Sequence, residues 1–391
     1  MFGMMNDMKK YSIVWAFVFC LLCSGSAHAG DQQQLYRLST GDAVFRQDNS
    51  IGVQFAEPRM VLSTSIINGG YREDLQGIFN HNNTDVVMTV ESYLQSMKQE
   101  AKKLGFDPEK VSSMGTGARM DNVAIKTESF QDAVVTAIVT AGVEGNAGRA
   151  GDPTNYYKPK QNPNMPKPGT INIMLIMNAD MPKGTLTRAL VTCTEAKTAA
   201  LQELMVSSRY SNGLATGSGT DQTIIVANPH AKLYLDDAGK HSKLGELIGV
   251  AVKSAVKEAL VKQNGLTGQK QHNVIRRIER FGISKEKLYQ DYLQAGYESV
   301  GKEEFLRQLD SFAGGDRIVT LTSLYVHLID QHAWGLLSAE EVTEAGDTLI
   351  TDASSHFGVA TGKIETQTVA GFVAAWENLL LTCLREKIAS Q

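Results

Sequence analysis

The chain has little net charge and few cysteines, and both shortages limit what it can do. Its 391 residues carry a formal net charge of -4 and include only four cysteines. Nucleic acids and anionic membranes are usually bound by basic surfaces, which this composition does not favour. Hydrophobic residues make up 42% of the chain, which excludes general disorder, and the length allows two domains. We therefore expect a small molecule or another protein as partner, and no nucleic acid.

The first 29 residues have the pattern of a cleavable signal peptide. Lys9 and Lys10 precede the apolar run YSIVWAFVFCLLC, and the small residues AHA at positions 27–29 offer a cleavage position. The run is shorter than the ~20 residues that span a bilayer. We therefore predict cleavage after Ala29, no integral membrane segment in the mature chain, and a periplasmic or secreted protein. A retained anchor and a lipid on Cys23 are the alternatives.

Strand and helix patterns alternate along the first two thirds of the chain. Strands are predicted within residues 43–67 and at Val134–Val143, Thr170–Met177 and Gln222–Val226. Helices are predicted at Thr84–Leu104, at Thr185–Met205 and between a Ser242 cap and Gly265. NGGYRED, residues 68–74, is predicted as a turn, and the proline-rich stretch 155–169 as a surface loop or lid.

The sequence pattern changes after residue 273, where helical patterns continue without a convincing strand. We predict a signal peptide at 1–29, an α/β domain at 30–268 and a smaller all-helical domain at 269–391. The fold class is α/β, a layered mixed sheet with packed helices followed by the all-α domain. Hairpin-like spacing of the first strands speaks against a doubly wound parallel sheet. The helical domain is interpreted as a docking module that makes an oligomer possible.

Cleavage of the signal peptide would leave two cysteines, Cys193 and Cys383. Both lie in helix-like apolar stretches that belong to different predicted domains. We therefore predict two buried thiols and no disulfide.

Glycines crowd the stretch RYSNGLATGSGTDQTIIVAN, residues 209–228, and raise the question of a phosphate site. A dinucleotide fingerprint needs a strand before the loop and a helix after it, whereas the order here is helix, loop, strand. A Walker loop needs lysine and a hydroxyl residue where Thr220 and Asp221 stand. Two alternatives remain: a loop that presents Ser218, Thr220 and Asp221 to a ligand, or a plain connection.

Lys197 is anomalous on the helix that precedes this loop. It shares one stripe with the apolar residues Leu186, Leu190, Cys193, Leu201 and Leu204. A lysine there must extend to solvent, meet a buried acid, or have a lowered pKa. Glu195 points roughly 160° away at 3.6 residues per turn, so the two cannot pair on this helix.

Several segments together resemble the adenosylcobinamide amidohydrolase family. They are MVLSTSIINGGYRED, TAGVEGNAGRAGD, GTINIMLIMNADMPKGTLTRALVTCTEAKTAALQEL, SRYSNGLATGSGTDQTIIVAN and AGKHSKLGELIG, and they fall between Ala43 and Gly265. The resemblance implies hydrolysis of the amide that joins the aminopropanol arm to the corrin ring, giving adenosylcobyric acid and aminopropanol. The corrinoid would be substrate, with no cofactor. An exported corrinoid-binding or delivery protein without catalysis is the alternative, because the signal peptide and the helical region are departures from the family.

Amide hydrolysis requires a nucleophile, donors for the oxyanion and an acid for the leaving amine. The sequence contains no H-E-x-x-H or H-x-H pattern and no G-x-S-x-G, so we expect no metal site and no hydrolase elbow. The candidate catalytic residues are Asp221, His241, Lys197 and Glu195. The candidate substrate-binding residues are Asn68, Gly69, Arg72, Arg149, Asp152, Gly217, Gly219 and Thr220. Each has an ordinary alternative as a turn, cap, loop or surface residue.

Overall fold

The computed structural model describes residues 32–83, 89–154, 169–297 and 300–390. The predicted signal peptide and residues 155–168 of the predicted proline-rich loop lie outside these ranges. Within the described ranges, no helix has the length and apolar character that crossing a bilayer requires.

One mixed sheet organises the first part of the chain. Its strands are β1 (Gln33–Arg37), β2 (Ala43–Gln47), β3 (Ser50–Ser63), β4 (Gly70–Asn82), β5 (Val111–Thr116), β6 (Ala124–Phe130), β7 (Ala133–Ala141), β9 (Ile171–Met177) and β11 (Gln222–Ala227). A separate two-stranded pair is formed by β8 (Ala147–Gly148) and β10 (Gly217–Ser218). Strands β9 and β11 run parallel, as do β4 and β5, and the other neighbours are antiparallel. The predicted layered mixed sheet is confirmed.

The long strand β3 curls the sheet. It pairs with β4 along one side, and with β2 and then β11 along the other. The register with β4 shifts between Gln54 and Val61, where the strand bends. The curl brings β5 over β9, so that the Asn172 side chain donates to the Gly115 carbonyl at 2.9 Å. Apolar side chains fill the enclosed face of the sheet.

Helices cover the other faces. They are α1 (Val90–Lys103), α2 (Lys183–Glu203) and α3 (Lys243–Asn264). The side chain of Ser242 caps the start of α3, and Gly265 ends it in the left-handed conformation, as predicted. Helices α2 and α3 share a core with β7, β9 and β11. The sequence of α2 forms one apolar face on this core because small and branched residues recur at helical spacing.

Three local predictions were wrong. NGGYRED is not a turn throughout, because β4 begins at Gly70 within it. The strand predicted to Ile67 ends at Ser63, and the helix predicted from Thr84 has Val90 as its first residue, capped by Thr89. Residues 84–88 lie outside the described part of the chain. Strands β1, β4, β5 and β6 were not predicted, because β4 and β6 carry many charged and polar residues.

The remainder of the chain is helical, as predicted. Its helices are α4 (Gly268–Gln271), α5 (Val274–Ile278), α6 (Lys285–Gln294), α7 (Lys302–Ala313), α8 (Asp316–Ala333), α9 (Ala339–Phe357) and α10 (Val369–Ala389). These helices enclose a core of their own, whose largest member is Trp376, stacked on Tyr325 with ring centroids 4.3 Å apart. Leu266 belongs to the core of the α/β part and Val274 to the helical core. The domain boundary at residue 268 stays a prediction.

The two thiols are free and buried, which confirms that no disulfide joins Cys193 and Cys383. Burial raises the pKa of each thiol to about 12. Because the thiolate is the reactive form, both cysteines are poor nucleophiles at neutral pH.

We therefore expect the native chain from residue 30 to resist alkylation by iodoacetamide at pH 8, and the denatured chain to gain two alkyl groups. Intact-protein mass spectrometry measures the number of groups added. Rapid alkylation of the folded protein would contradict the burial of these thiols.

Candidate active site

The candidate site lies at one edge of the sheet, where several strands begin or end. Strands β9 and β11 both begin there, with Gln222 opposite Asn172 in parallel register. The segment after β3 reaches the same edge, because the Thr64 amide donates to the Thr223 carbonyl at 3.0 Å. Asp221 directly precedes β11 and therefore stands at this edge, as the sequence predicted for the glycine loop.

Lys197 and Asp221 form a buried ion pair. The Lys197 Nζ lies 2.5 Å from the Asp221 Oδ2, and each side chain is only 12% exposed. Of the three alternatives for Lys197, the structure shows the second, a lysine that meets a buried acid. A charge removed from water needs a partner of this kind, because burial alone strongly disfavours it.

Asp221 accepts three further hydrogen bonds from two segments. The backbone amide and the hydroxyl of Ser218 donate to it at 3.0 and 2.6 Å, and the backbone amide of Ile171 donates at 2.9 Å. Asp221 thus closes its own turn, ties that turn to β9 and joins it to α2 through Lys197. The Asp221 carboxylate therefore both caps its own turn and pairs with a charged side chain.

Gly217 makes room for the ion pair. A Cβ built on Gly217 would lie 2.5 Å from Asp221 Oδ2 and 2.8 Å from Lys197 Nζ, closer than real Cβ contacts. The backbone approaches the charged pair here, and Gly217 is at the same time paired with Gly148 in the short β8–β10 ribbon. Gly219 is less restricted, because its nearest neighbour would be Asn146 Oδ1 at 3.4 Å.

Hydroxyl groups surround the pair on the loop side. Ser218 Oγ donates to Asp221 and also lies 3.2 Å from the Gly169 carbonyl. Thr220 Oγ1 donates to the same carbonyl at 2.9 Å and contacts Thr170 Oγ1. The sequence pointed to Ser218 as a residue that the glycine loop presents, but not as a catalytic or substrate-binding candidate. Its position between two glycines, three residues before Asp221, was the available signal, since that spacing closes a turn.

Arg149 and Asp152 hold the neighbouring loop. The Arg149 guanidinium donates to the Leu214 carbonyl at 3.1 Å, and Asp152 accepts from the Arg149 amide at 2.7 Å and from the Ser208 hydroxyl at 2.6 Å. Burial acts to raise the pKa of Asp152, but hydrogen bonds from Ser208, Ser211 and the Arg149 amide outweigh it and hold the pKa below its usual value. These contacts fix the loop beside β10; a role in substrate binding stays a prediction.

Tyr210 lies at the rim of the same group. Its side chain is 47% exposed, and its hydroxyl donates to Asn146 Oδ1 at 3.1 Å. The Asn146 amide in turn donates at 2.9 Å to the Gly169 carbonyl, whose oxygen lies 3.2 Å from Ser218 Oγ. The Tyr210 ring lies over Gly148, where a Cβ would meet it at 3.3 Å. A chain of polar contacts thus connects this exposed residue with the hydroxyl beside Asp221.

Asn68 and Gly69 shape the turn between β3 and β4. Asn68 adopts a positive φ of 48°, and its amide donates to the carbonyls of Pro108 at 2.7 Å and Val111 at 2.8 Å. A Cβ on Gly69 would lie 1.8 Å from the Ser65 carbonyl oxygen, so only glycine fits there. The turn explains both residue types. Their proposed contacts with substrate stay predictions.

Three other candidates are not joined to the ion pair. Arg72 donates twice to Asp74, at 2.7 and 2.9 Å, and Glu195 forms an exposed salt bridge with Lys240 at 2.8 Å. His241 is exposed just before α3. The structure therefore brings Lys197 and Asp221 together with Gly217, Gly219 and Thr220, and does not join Glu195, His241 or Arg72 to them. Among the described residues, no cluster of three or more His, Cys, Asp or Glu side chains could hold a metal ion.

Comparison with known proteins identifies the family to which the α/β part is related. The model of the adenosylcobinamide amidohydrolase family matches residues 35–268. An uncharacterized protein of Methanocaldococcus jannaschii is 37% identical over 235 residues, which cover 57% of this chain and 90% of that protein. The α/β part is thus that of an amidohydrolase family. The chain belongs to the adenosylcobinamide amidohydrolase family.

Two solved structures are similar at low identity. A Pyrococcus horikoshii protein is 13% identical with a TM-score of 0.29, over 59% of this chain and 81% of that chain. A β-aminopeptidase of a Burkholderia species is 14% identical with a TM-score of 0.25, over 61% and 82%. These scores are too low to support conclusions about the present site.

We expect Gly217→Ala to separate Lys197 from Asp221, because the new methyl group would occupy the space that the pair now fills. Gly219→Ala is the matched control. Gly219 lies two residues further along the same loop, and a Cβ there would have no contact closer than 3.4 Å. Circular dichroism and thermal melting would show that both variants fold, with Gly217→Ala less stable by about 1–3 kcal/mol from overpacking. Equal stability of the two variants would contradict the close approach at Gly217.

Proposed function

We propose that this protein hydrolyses the amide between the aminopropanol arm and the corrin ring of adenosylcobinamide, releasing adenosylcobyric acid and aminopropanol. Family membership supports the substrate class. The observation that carries the chemistry is the Ser218 hydroxyl, 2.6 Å from the Asp221 carboxylate that Lys197 contacts on its other oxygen. An amide hydrolase requires a nucleophile, a proton acceptor and a proton donor, and these three side chains supply one of each.

In the first step, Ser218 Oγ attacks the amide carbonyl carbon and its proton passes to Asp221. The C–N bond then breaks as the Lys197 ammonium gives a proton to the leaving nitrogen of aminopropanol. Asp221 then releases its Oδ1 proton to water and the Lys197 amine takes a proton from water, which restores the ion pair. The product of this half-reaction is an ester between Ser218 and the corrinoid carboxyl group.

In the second step, water attacks the ester carbonyl and gives a proton to Asp221. Ser218 leaves with that proton, so the free acid is released and the side chains return to their starting state. The net reaction consumes one water and one amide bond. In this proposed cycle Ser218, Asp221, Lys197 and water supply every bond and proton, so no step draws on a cofactor.

The signal peptide predicted at residues 1–29 would place this reaction outside the cytoplasm, in the periplasm or the medium. An exported hydrolase of this kind would act on scavenged corrinoids. The alternative is an exported protein that binds the corrinoid and leaves it intact.

A product assay separates these two functions. We expect a chain from residue 30 to convert adenosylcobinamide into adenosylcobyric acid, with a mass loss that corresponds to aminopropanol and gain of water. Liquid chromatography with mass spectrometry measures both products. Unchanged adenosylcobinamide that remains bound to the protein would contradict catalysis and favour the binding protein.

The roles of Lys197 and Ser218 have separate signatures. Lys197→Met should lower kcat by about 10²–10⁴-fold, the usual contribution of a positioned proton donor. Lys240→Met, which removes an exposed lysine paired with Glu195, is the matched control and should leave kcat unchanged. Because Lys197→Met leaves Asp221 buried without a counter-charge, thermal melting must accompany the assay.

Ser218 is tested by trapping the ester. Acid quenching during turnover should leave a corrinoid acyl group on the wild-type protein, detected by intact mass and by corrin absorbance of the denatured chain. Ser218→Ala should lose both the adduct and turnover. Turnover that survives in Ser218→Ala would show that water attacks directly and that Ser218 is not the nucleophile.

A further inference from the structure

The helical region contacts the α/β part at the segments that form the rim of the candidate site. Lys270 donates to the Glu144 carboxylate at 2.9 Å, just before the loop that carries Arg149. Arg280, between α5 and α6, donates through Nη1 to the Asn212 carbonyl. Asn212 belongs to the rim loop, which we define as residues 209–213. The rim loop therefore has a partner outside the family match, which ends at residue 268.

The Arg280 side chain is a fixed donor. It is 2% exposed and forms two parallel hydrogen bonds, both 2.6 Å, with the carboxylate of Asp330 on α8. The guanidinium also lies 4.4 Å from the centroid of the Phe281 ring. Asp330 and Phe281 leave the planar guanidinium group little freedom to move. Its hydrogen bond to the Asn212 carbonyl therefore holds the rim loop against the helical core.

Within the α/β part, the rim loop connects to the reacting groups. Tyr210 belongs to this loop, and its hydroxyl donates to Asn146, which donates to the Gly169 carbonyl shared with Ser218. The residue is 47% exposed, and its ring lies over Gly148. An exposed tyrosine offers a rigid, largely apolar face at low entropic cost, which suits a broad flat ligand.

We propose that Arg280 is a positioning residue, through which the helical region holds the rim loop so that the Tyr210 ring forms a platform for the corrin macrocycle beside Ser218. The ligand in this inference rests on the proposed function. The restraint of the rim loop by Arg280 does not rest on the proposed function, because it is an intramolecular contact that involves no ligand. The helical region thereby contributes to substrate binding without supplying a reacting group.

The restraint can be measured without any ligand. Arg280→Lys keeps the positive charge beside Asp330 but cannot donate in a fork and to Asn212 together. Ile350→Ala is the matched control, since it removes a buried side chain of α9 from the same helical core and leaves the Arg280, Asp330 and Asn212 residues unchanged. Limited trypsin digestion below the melting temperature, read as the fragment ending at Arg209, reports opening of the rim loop.

We expect cleavage after Arg209 to be about tenfold faster in Arg280→Lys than in Ile350→Ala at matched stability, the effect of losing one hydrogen bond from a charged donor. Equal cleavage rates in the two variants would overturn the restraint. Thermal melting places both variants on the same stability scale.

The platform is tested with cobinamide, whose visible absorbance allows equilibrium dialysis. Tyr210→Ala and Arg280→Lys should each raise the Kd for cobinamide about tenfold. The Kd of the double variant should not exceed that of the weaker-binding single variant, because both residues act through one loop. In turnover, KM should rise while kcat changes less than twofold. Tyr210→Phe keeps the ring and should restore most of the affinity.

Additive losses in the double variant would overturn the shared action of Arg280 and Tyr210. Failure of the wild-type protein to bind cobinamide would overturn the platform together with the proposed function. Slower turnover at unchanged KM would also overturn the platform, since Tyr210 would then act on the reaction and not on binding. The trypsin comparison decides the Arg280 restraint in each of these cases.

Discussion

The ion pair between Lys197 and Asp221 is the constraint on which the rest of the site depends. Two charges at 12% exposure lose much of their hydration, and their attraction compensates only when the remaining hydrogen-bonding positions are also filled. The Ser218 and Ile171 groups fill those positions on Asp221. One carboxylate thereby fixes the turn, the first residue of β9 and the middle of α2 with respect to each other, and Gly217 is small because the pair lies against it.

The parts of the fold that could be predicted are those in which a local pattern and the final environment agree. Strands β7, β9 and β11 are buried on both faces, so each appears in the sequence as an apolar run. The cap at Ser242 and the glycine at 265 are local signals of the same kind. Strand β4 could not be recognised, because none of its first five residues, GYRED, is buried and their polar, charged pattern resembles that of a turn. Its pairing with β3 and β5 depends on the curl of the sheet, which cannot be inferred from any short stretch of the sequence.

The candidate site shows the same division. An unpaired lysine on an apolar stripe and an aspartate before a strand were each visible in the sequence, but their contact depends on how α2 crosses the start of β11. Glu195 and Arg72 are of residue types equally suited to surface salt bridges, which is the role their partners give them. Ser218 could be recognised from the sequence only as a residue that the loop presents, because its hydrogen bond to Asp221 depends on how the loop folds.

The proposed reacting groups and the proposed restraint of the rim loop belong to different parts of this chain. Lys197, Ser218 and Asp221 all lie within the residues that match the family, and their mutual contacts involve no atom of the helical region. Arg280 lies beyond the match and donates to the rim loop of that domain. Two hydrogen bonds, from Tyr210 to Asn146 and from Asn146 to the Gly169 carbonyl, separate the rim loop from the surroundings of Ser218. Alterations of the helical region should therefore change how tightly a corrinoid is held before they change how its amide is cleaved.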